Sequence, residues 1–269
     1  MPLKAAVMHL DPDHCKNAKS AGKRFSVLTA YDYPTARLID ESTVDWILVG
    51  DSLGMVILGM PDTTGVTMPH MLHHVEAVAR GTKRCPIIAD LPAGSCATPE
   101  LAAENAFRLT QAGAHAVKIE GGSDFAPHVE AIRERNIHVV GHIGMLPQRV
   151  REEGGYRIKG RTPDDSARLL HDANTLTRAG ISSVVLELVA PETAAAITRS
   201  LPIPTIGIGS GPSCDGQVLV FHDLVGAFPW FRPRFASPEA DIAPLIREAL
   251  NAFHNRTTTH PNENRPTLA

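Results

Sequence analysis

From Phe25 onward the chain alternates short runs rich in Val and Ile with longer stretches rich in Ala, Leu and charged residues. This pattern constrains the fold strongly. A crossover of helix length returns each strand to the same end of the sheet, so the strands pair in parallel. The runs predict eight strands: Ser26–Ala30, Trp46–Gly50, Pro86–Asp90, Ala116–Glu120, His138–His142, Ser183–Glu187, Thr205–Ile208 and Val218–His222. Helices are predicted at Pro34–Ser42, Pro69–Arg80, Pro99–Gln111, Pro163–Ala179, Pro191–Arg199 and Glu239–Asn251. Thr98-Pro99-Glu100 is a helix start, with a Thr cap and Pro in the first turn. The predicted fold is α/β, a single (β/α)8 TIM barrel over residues 25–254, and 269 residues suit such a domain of about 250. Residues 1–24 read as a polar arm, helical or frayed, and residues 255–269 as a disordered tail without apolar periodicity.

One internal similarity supports the barrel. LTQAGAHAVKIE (109–120) and LTRAGISSVVLE (176–187) match at Leu, Thr, Ala, Gly, Val and Glu. Each reads as a helix end, a Gly cap and a strand closing on Glu. They are two copies of one βα unit, or two instances of the same turn chemistry.

Several function classes are disfavoured. The formal charge of −3 gives no reason to expect a nucleic-acid partner. No run of about 18 apolar residues predicts a membrane span, and the apolar stretch near Met1 is too short and broken for a signal peptide. Cys15, Cys85, Cys96 and Cys214 are scattered without a C-x-x-C, which predicts free thiols and a reducing cytoplasm.

Four predicted strands end on an acid: Asp51, Asp90, Glu120 and Glu187. In a parallel barrel these ends share one face. Side chains alternate along a strand, so Lys118 and Glu120 point together into the mouth while Val117 and Ile119 face outward. A charged pair there is a structural salt bridge or part of a ligand site. Asp51 and Asp90 taken singly read as turn or helix caps. Together with Glu120 they form a set whose mutual repulsion a cation would relieve. Mg2+ suits carboxylate oxygens and leaves positions open for a chelating 2-oxo acid. Such an ion would polarise the keto oxygen and stabilise an enolate. Glu187 is the candidate base, and Lys118 the candidate partner of the substrate carboxylate. His142 reads as a core histidine or as a second-layer partner of the site. The Gly207–Gly211 loop is an anion cradle or a tight turn, and is not a dinucleotide fingerprint. Asp45, Asp62, His73 and His74 read as surface or capping residues.

The strings TAYDYPTARLIDE (29–41), VGDSLGM (49–55), ADLP (89–92), ATPE (97–100), AVKIEGG (116–122), GHIGMLPQ (141–148), GGYRIKGR (154–161), IGIGSG (206–211) and CDGQVLVFHDLVG (214–226) resemble the ketopantoate hydroxymethyltransferase family, in order from Phe25 to Phe235. The resemblance implies a (β/α)8 barrel, assembly as a homodecamer, and hydroxymethyl transfer from 5,10-methylenetetrahydrofolate to 3-methyl-2-oxobutanoate in pantothenate synthesis. It implies Mg2+ at Asp51, Asp90 and Glu120, oxo-acid contacts from Asp51, Ser52, Asp90 and Lys118, and Glu187 as proton acceptor. Ser52 enters through the resemblance alone.

Two places depart from the family pattern. Ala93 and Cys96 stand where the family usually has an aromatic pair, and Leu188-Val189-Ala190-Pro191 stands where it often has a Val-Pro step. The pocket shape, and with it the oxo-acid side chain, is therefore open. Three rivals share parts of this pattern: a phosphoenolpyruvate mutase or isocitrate lyase type of barrel, a Schiff-base aldolase using Lys118, and a barrel that binds a metabolite without turnover.

Overall fold

The structure, a computed structural model, describes residues 10–259. The chain divides into two compact units with the boundary between Val220 and Phe221.

In the first unit eight parallel strands close into a barrel in sequence order. They are β1 (Phe25–Thr29), β2 (Trp46–Val49), β3 (Ile87–Asp90), β4 (Ala116–Glu120), β5 (His138–Gly144), β6 (Ser183–Glu187), β7 (Thr205–Ile208) and β8 (Gly216–Leu219). The helices of this unit are α1 (Pro12–Ser20), α2 (Tyr33–Asp40), the short α3 (Leu53–Val56), α4 (Met68–Gly81), α5 (Pro99–Gln111), α6 (Ala126–Glu134), α7 (Pro163–Ala179) and α8 (Pro191–Ser200). The expected (β/α)8 class is the observed one.

The interior is layered by strand alternation. Val27, Leu48, Ile88, Ala116, Val140, Val185, Ile206 and Val218, one from each strand, belong to a single buried apolar cluster. Phe25 and Trp46 extend it toward the N-terminal end of the barrel, with ring centroids 4.6 Å apart. Leu10 and Cys15 join the same cluster. The arm is therefore an ordered helix from Pro12 to Ser20, started by Asp11, whose carboxylate accepts the N–H groups of Asp13 and His14. Lys19 fastens it by donating to Thr198 O (2.6 Å) and Ile203 O (3.0 Å) and by pairing with Asp215 (3.0 Å).

The two repeated segments occupy equivalent places. Gly113 (φ 115°) and Gly180 (φ 102°) turn the ends of α5 and α7 in the left-handed region that favours glycine, and β4 and β6 follow.

Three expectations are corrected. β8 spans Gly216–Leu219 rather than Val218–His222. Its register against β1 pairs Phe25 with Gly216, where a side chain would come within 2.5 Å of Phe25 O. Gly216 and Gln217 carry no apolar signal, and Phe221 already opens a helix. Helix α6 has no counterpart in the sequence reading, although Val129 and Ile132 on its inner face are fully buried. In the second unit, α9 (Phe221–Leu224) and α10 (Ile242–Thr259) carry helix five residues into the segment expected to be disordered. The remainder of that tail, and the first nine residues of the arm, lie outside the described residues.

Trp46→Ala removes a ring that closes the N-terminal end of the barrel. Large aromatic truncations in cores cost about 3–5 kcal/mol, and urea unfolding should show a loss of that order. A loss below about 1 kcal/mol would mean that this layer does not hold the barrel closed.

Candidate active site

Two residues beyond the apolar layer, the same strand faces turn ionisable. Ile88 is followed on its face by Asp90, Ala116 by Lys118 and then Glu120, Val140 by His142, and Val185 by Glu187. The parallel register aligns them, with Asp90 opposite Lys118 and Glu120 opposite His142. Asp51 comes from the turn after β2. Asp51, Asp90, Lys118, Glu120 and His142 are all buried.

Lys118 Nζ lies 3.3 Å from Asp90 Oδ1 and 3.5 Å from Glu120 Oε1. The Asp51 backbone N–H donates to Asp90 Oδ2 (3.0 Å). Gln148, in the turn after β5, donates its side-chain amide to Asp51 Oδ2 (2.8 Å) and its backbone N–H to Glu120 Oε2 (3.2 Å). The His142 ring spans Glu120 Oε1 at Nδ1 and Glu187 Oε2 at Nε2, both at 3.3 Å. Ser52 Oγ shares a hydrogen bond with Tyr31 OH (2.8 Å). Every residue expected at the site is at this end of the barrel. Gln148 and Tyr31 lie within the family-like strings but are not among the candidate site residues. Both are uncharged, and no sequence spacing links them to the acids.

The electrostatics follow from burial. Burial, then repulsion from Asp90 and Glu120, pushes the Asp51 carboxyl well above the usual range, and Lys118 and the Gln148 amide reverse this only in part. Asp90 also rises, chiefly through burial. Glu120 resists burial through His142, Lys118 and the Gln148 N–H, and falls to about 2. Lys118 is held charged, since Asp90, Glu120, Asp51 and Glu187 outweigh its desolvation. Lys118 Nζ also lies 3.1 Å from His142 Nδ1, a hydrogen bond only while that nitrogen is unprotonated. Burial and Lys118 oppose a second proton on the ring, but Glu120 and Glu187 prevail and raise His142 to about 9. Glu120 and Glu187, one at each ring nitrogen, thus favour the second proton, against the nearby Lys118 ammonium.

The end of β6 is fixed by its neighbours. Met145 N–H donates to Glu187 O (2.8 Å), and a side chain on Gly144 (φ 101°) would come within 2.3 Å of that oxygen. Leu188 follows with φ 47°, a strained value outside glycine. Ser210 Oγ donates to Leu186 O (2.7 Å) and accepts from Val189 N–H (2.9 Å). The Gly207–Gly211 loop therefore acts here as a tight turn that clamps β6. The surface readings also hold in part: Asp45 pairs with Lys23, and Asp62 caps the turn at Thr63 and pairs with Arg151.

Among the described residues, no three His, Cys, Asp or Glu side chains already converge as a metal-binding cluster. The donor chemistry nonetheless fits a hard divalent cation. Asp90 Oδ1 and Glu120 Oε1 are buried without a hydrogen-bond partner, and Lys118 stands at ion-pair distance from both. Beside them is a cavity of about 250 Å³ lined by Ala93, Cys96, Phe125, Leu146 and Gln148 and reaching Glu120.

His142 binds its proton more tightly in the folded chain than in the unfolded one. Its stabilising contribution is complete below about pH 6.5 and is lost as the pH rises through about 9. Asp51 and Asp90, also raised, act in the same direction. The Tm of metal-free protein should therefore fall across this interval, and His142→Gln should remove part of the slope. An unchanged slope in the variant would show that the ring stays neutral.

The profile of the family described as ketopantoate hydroxymethyltransferase matches residues 10–263. A 3-methyl-2-oxobutanoate hydroxymethyltransferase from Pyrobaculum neutrophilum is 52% identical over 227 residues, covering 84% of this chain and 87% of the relative. One from Trichlorobacter lovleyi is 50% identical over 237 residues, covering 87% and 89%. Among solved structures, phosphonopyruvate hydrolase in complex with oxalate and Mg++ superposes with a TM-score of 0.61 at 13% identity, covering 97% of this chain and 87% of that one. That likeness concerns the fold alone. The chain belongs to the ketopantoate hydroxymethyltransferase family.

Proposed function

We propose that this chain transfers a hydroxymethyl group from 5,10-methylenetetrahydrofolate to 3-methyl-2-oxobutanoate, giving 2-dehydropantoate for pantothenate and coenzyme A synthesis. The observation that carries the reading is the division of the acids within a family member. Asp51, Asp90 and Glu120 are buried beside Lys118, whereas the Glu187 side chain keeps 14% exposure at the mouth.

Asp51, Asp90 and Glu120 would hold a divalent cation, Mg2+ by the hardness of their oxygens. When bound, it would withdraw electron density from the keto oxygen and acidify C3 of the oxo acid. Lys118 pairs with the substrate carboxylate, and Asp51, Asp90 and Ser52 border it. Glu187 removes the C3 proton, and His142 beside it stabilises the charge of the free carboxylate. The electron pair left at C3 forms a bond to the folate methylene carbon. The two C–N bonds of that carbon are replaced by this C–C bond and by a C–OH bond from water; the C3 proton and one water proton end on the two nitrogens, and the other water proton stays on the new hydroxyl.

The cavity beside Ala93 and Cys96 favours a second reading within the same chemistry, acceptance of 2-oxo acids with larger side chains. One methylene in an apolar pocket is worth about 10–200-fold in kcat/KM, so a substrate series is decisive. Ala93→Phe should narrow the accepted range. A sharp wild-type preference for 3-methyl-2-oxobutanoate would remove the reading.

We further infer a homo-oligomer, a decamer by family resemblance, in a reducing cytoplasm. Helix α10 leaves Leu245, Ile246, Leu250 and Phe253 exposed, an apolar face that supports association, and no disulfide joins Cys15, Cys85, Cys96 or Cys214. A monomeric mass by light scattering would end the assembly proposal.

Deuterium exchange at C3 of 3-methyl-2-oxobutanoate, without folate, tests the base directly. Wild type should wash in solvent deuterium. Glu187→Gln should lose at least about 100-fold in rate while still binding the oxo acid, and persistent exchange would move the base elsewhere. EDTA should abolish exchange and Mg2+ restore it. Mg2+ affinity, read by calorimetry, should also fall as the pH is lowered, because Asp51 and Asp90 are raised when metal-free and protons compete with the ion for them.

A further inference from the structure

Each of the three buried carboxylates has one oxygen held by a protein N–H. Asp90 Oδ2 is held by the Asp51 backbone (3.0 Å), Asp51 Oδ2 by Gln148 Nε2 (2.8 Å) and Glu120 Oε2 by Gln148 N (3.2 Å). Two of the three anchors come from one uncharged residue. The second amide hydrogen of Gln148 goes to Leu91 O (3.0 Å). Both partners of Nε2 are acceptors, so the amide has only one workable orientation. Its platform is firm, since Leu91 is buried and its own N–H donates to Lys118 O (3.0 Å).

The opposite oxygens are the ones left without hydrogen bonds at Asp90 and Glu120. A carboxylate with one oxygen already engaged presents a single donor to an ion. Ca2+ takes about 6–8 oxygens and accepts bidentate carboxylates, whereas Mg2+ requires a compact octahedron. A Lys or Arg at position 148 would also hold the acids, but it would neutralise them and compete with any cation. An amide orients them without adding charge.

We propose that Gln148 is a positioning residue whose side-chain amide makes the carboxylate site selective for a small six-coordinate cation by tying back one oxygen of Asp51, beside the backbone anchor on Glu120 that a substitution at 148 leaves in place. This rests on the cation site proposed above.

Gln148→Met keeps the side-chain volume and removes both amide donors, and Gln148→Ala removes the volume as well. Calorimetric titration of the full chain with Mg2+, Mn2+ and Ca2+ reads the effect without turnover, and a thermal melt checks folding. Partners of metal ligands are worth about 10–100-fold in affinity, so both variants should lose Mg2+ and Mn2+ binding by that factor while Ca2+ changes less than about threefold. A Mg2+ to Ca2+ ratio in folded Gln148→Met within about twofold of wild type would overturn the proposal, as would an equal loss of all three ions. If wild type binds none of the ions, the cation site itself fails. If wild type binds and Gln148→Met is unchanged, only the role of Gln148 fails.

Discussion

Charge buried above a sealed apolar layer has to be compensated within its own neighbourhood. Beneath the mouth, Val27, Leu48, Ile88, Val140 and Val185 offer no charged partner. Asp51, Asp90, Glu120 and Glu187 are therefore balanced against Lys118 and His142, with protons making up the difference. Burial is the chief cause of the upward displacement of Asp51 and Asp90, and at Asp51 repulsion from Asp90 and Glu120 adds to it. Lys118 stays charged because it faces three acids of the cluster and Glu187 beyond them.

The placement of this cluster was legible in the sequence because two periodicities coincide. Alternation along VKIE put Lys118 and Glu120 on one face, and the eight-strand pattern put Asp51, Asp90 and Glu187 at the same end. What remained hidden depends on contacts between distant segments. Gln148 reaches Asp51 across 97 positions through an amide that carries no charge to mark it. Helix α6 has a weak sequence signal because its buried face rests on Val129 and Ile132 within nine residues. The start of β8 is hidden because its first residue is a glycine required by the close approach of Phe25, not by burial.

Solved structures that superpose on this barrel, such as phosphonopyruvate hydrolase and a lyase/mutase, are named for different chemistry and are 13–19% identical to this chain. A common barrel fixes where strand ends meet; it does not fix what is delivered there. Relatives about 50% identical over most of the chain carry the hydroxymethyltransferase name. The rival mutase type of barrel is thus a neighbour in fold, while the family match spans residues 10–263.

Glu187 shows how the fold separates precision from freedom. Its backbone is held on both sides: Met145 N–H grips its carbonyl, Gly144 makes room for that approach, and Ser210 ties the strand through Leu186 and Val189. Its carboxylate, by contrast, has no N–H donor in hydrogen-bond alignment among the described residues, only the His142 ring at 3.3 Å. The three buried acids are treated in the opposite way, each with an oxygen anchored by an N–H. The contrast fits the proposed roles. Donors that would hold an ion gain from being tied through their oxygens, whereas a base would be better positioned through its backbone, with its oxygens left open toward the mouth.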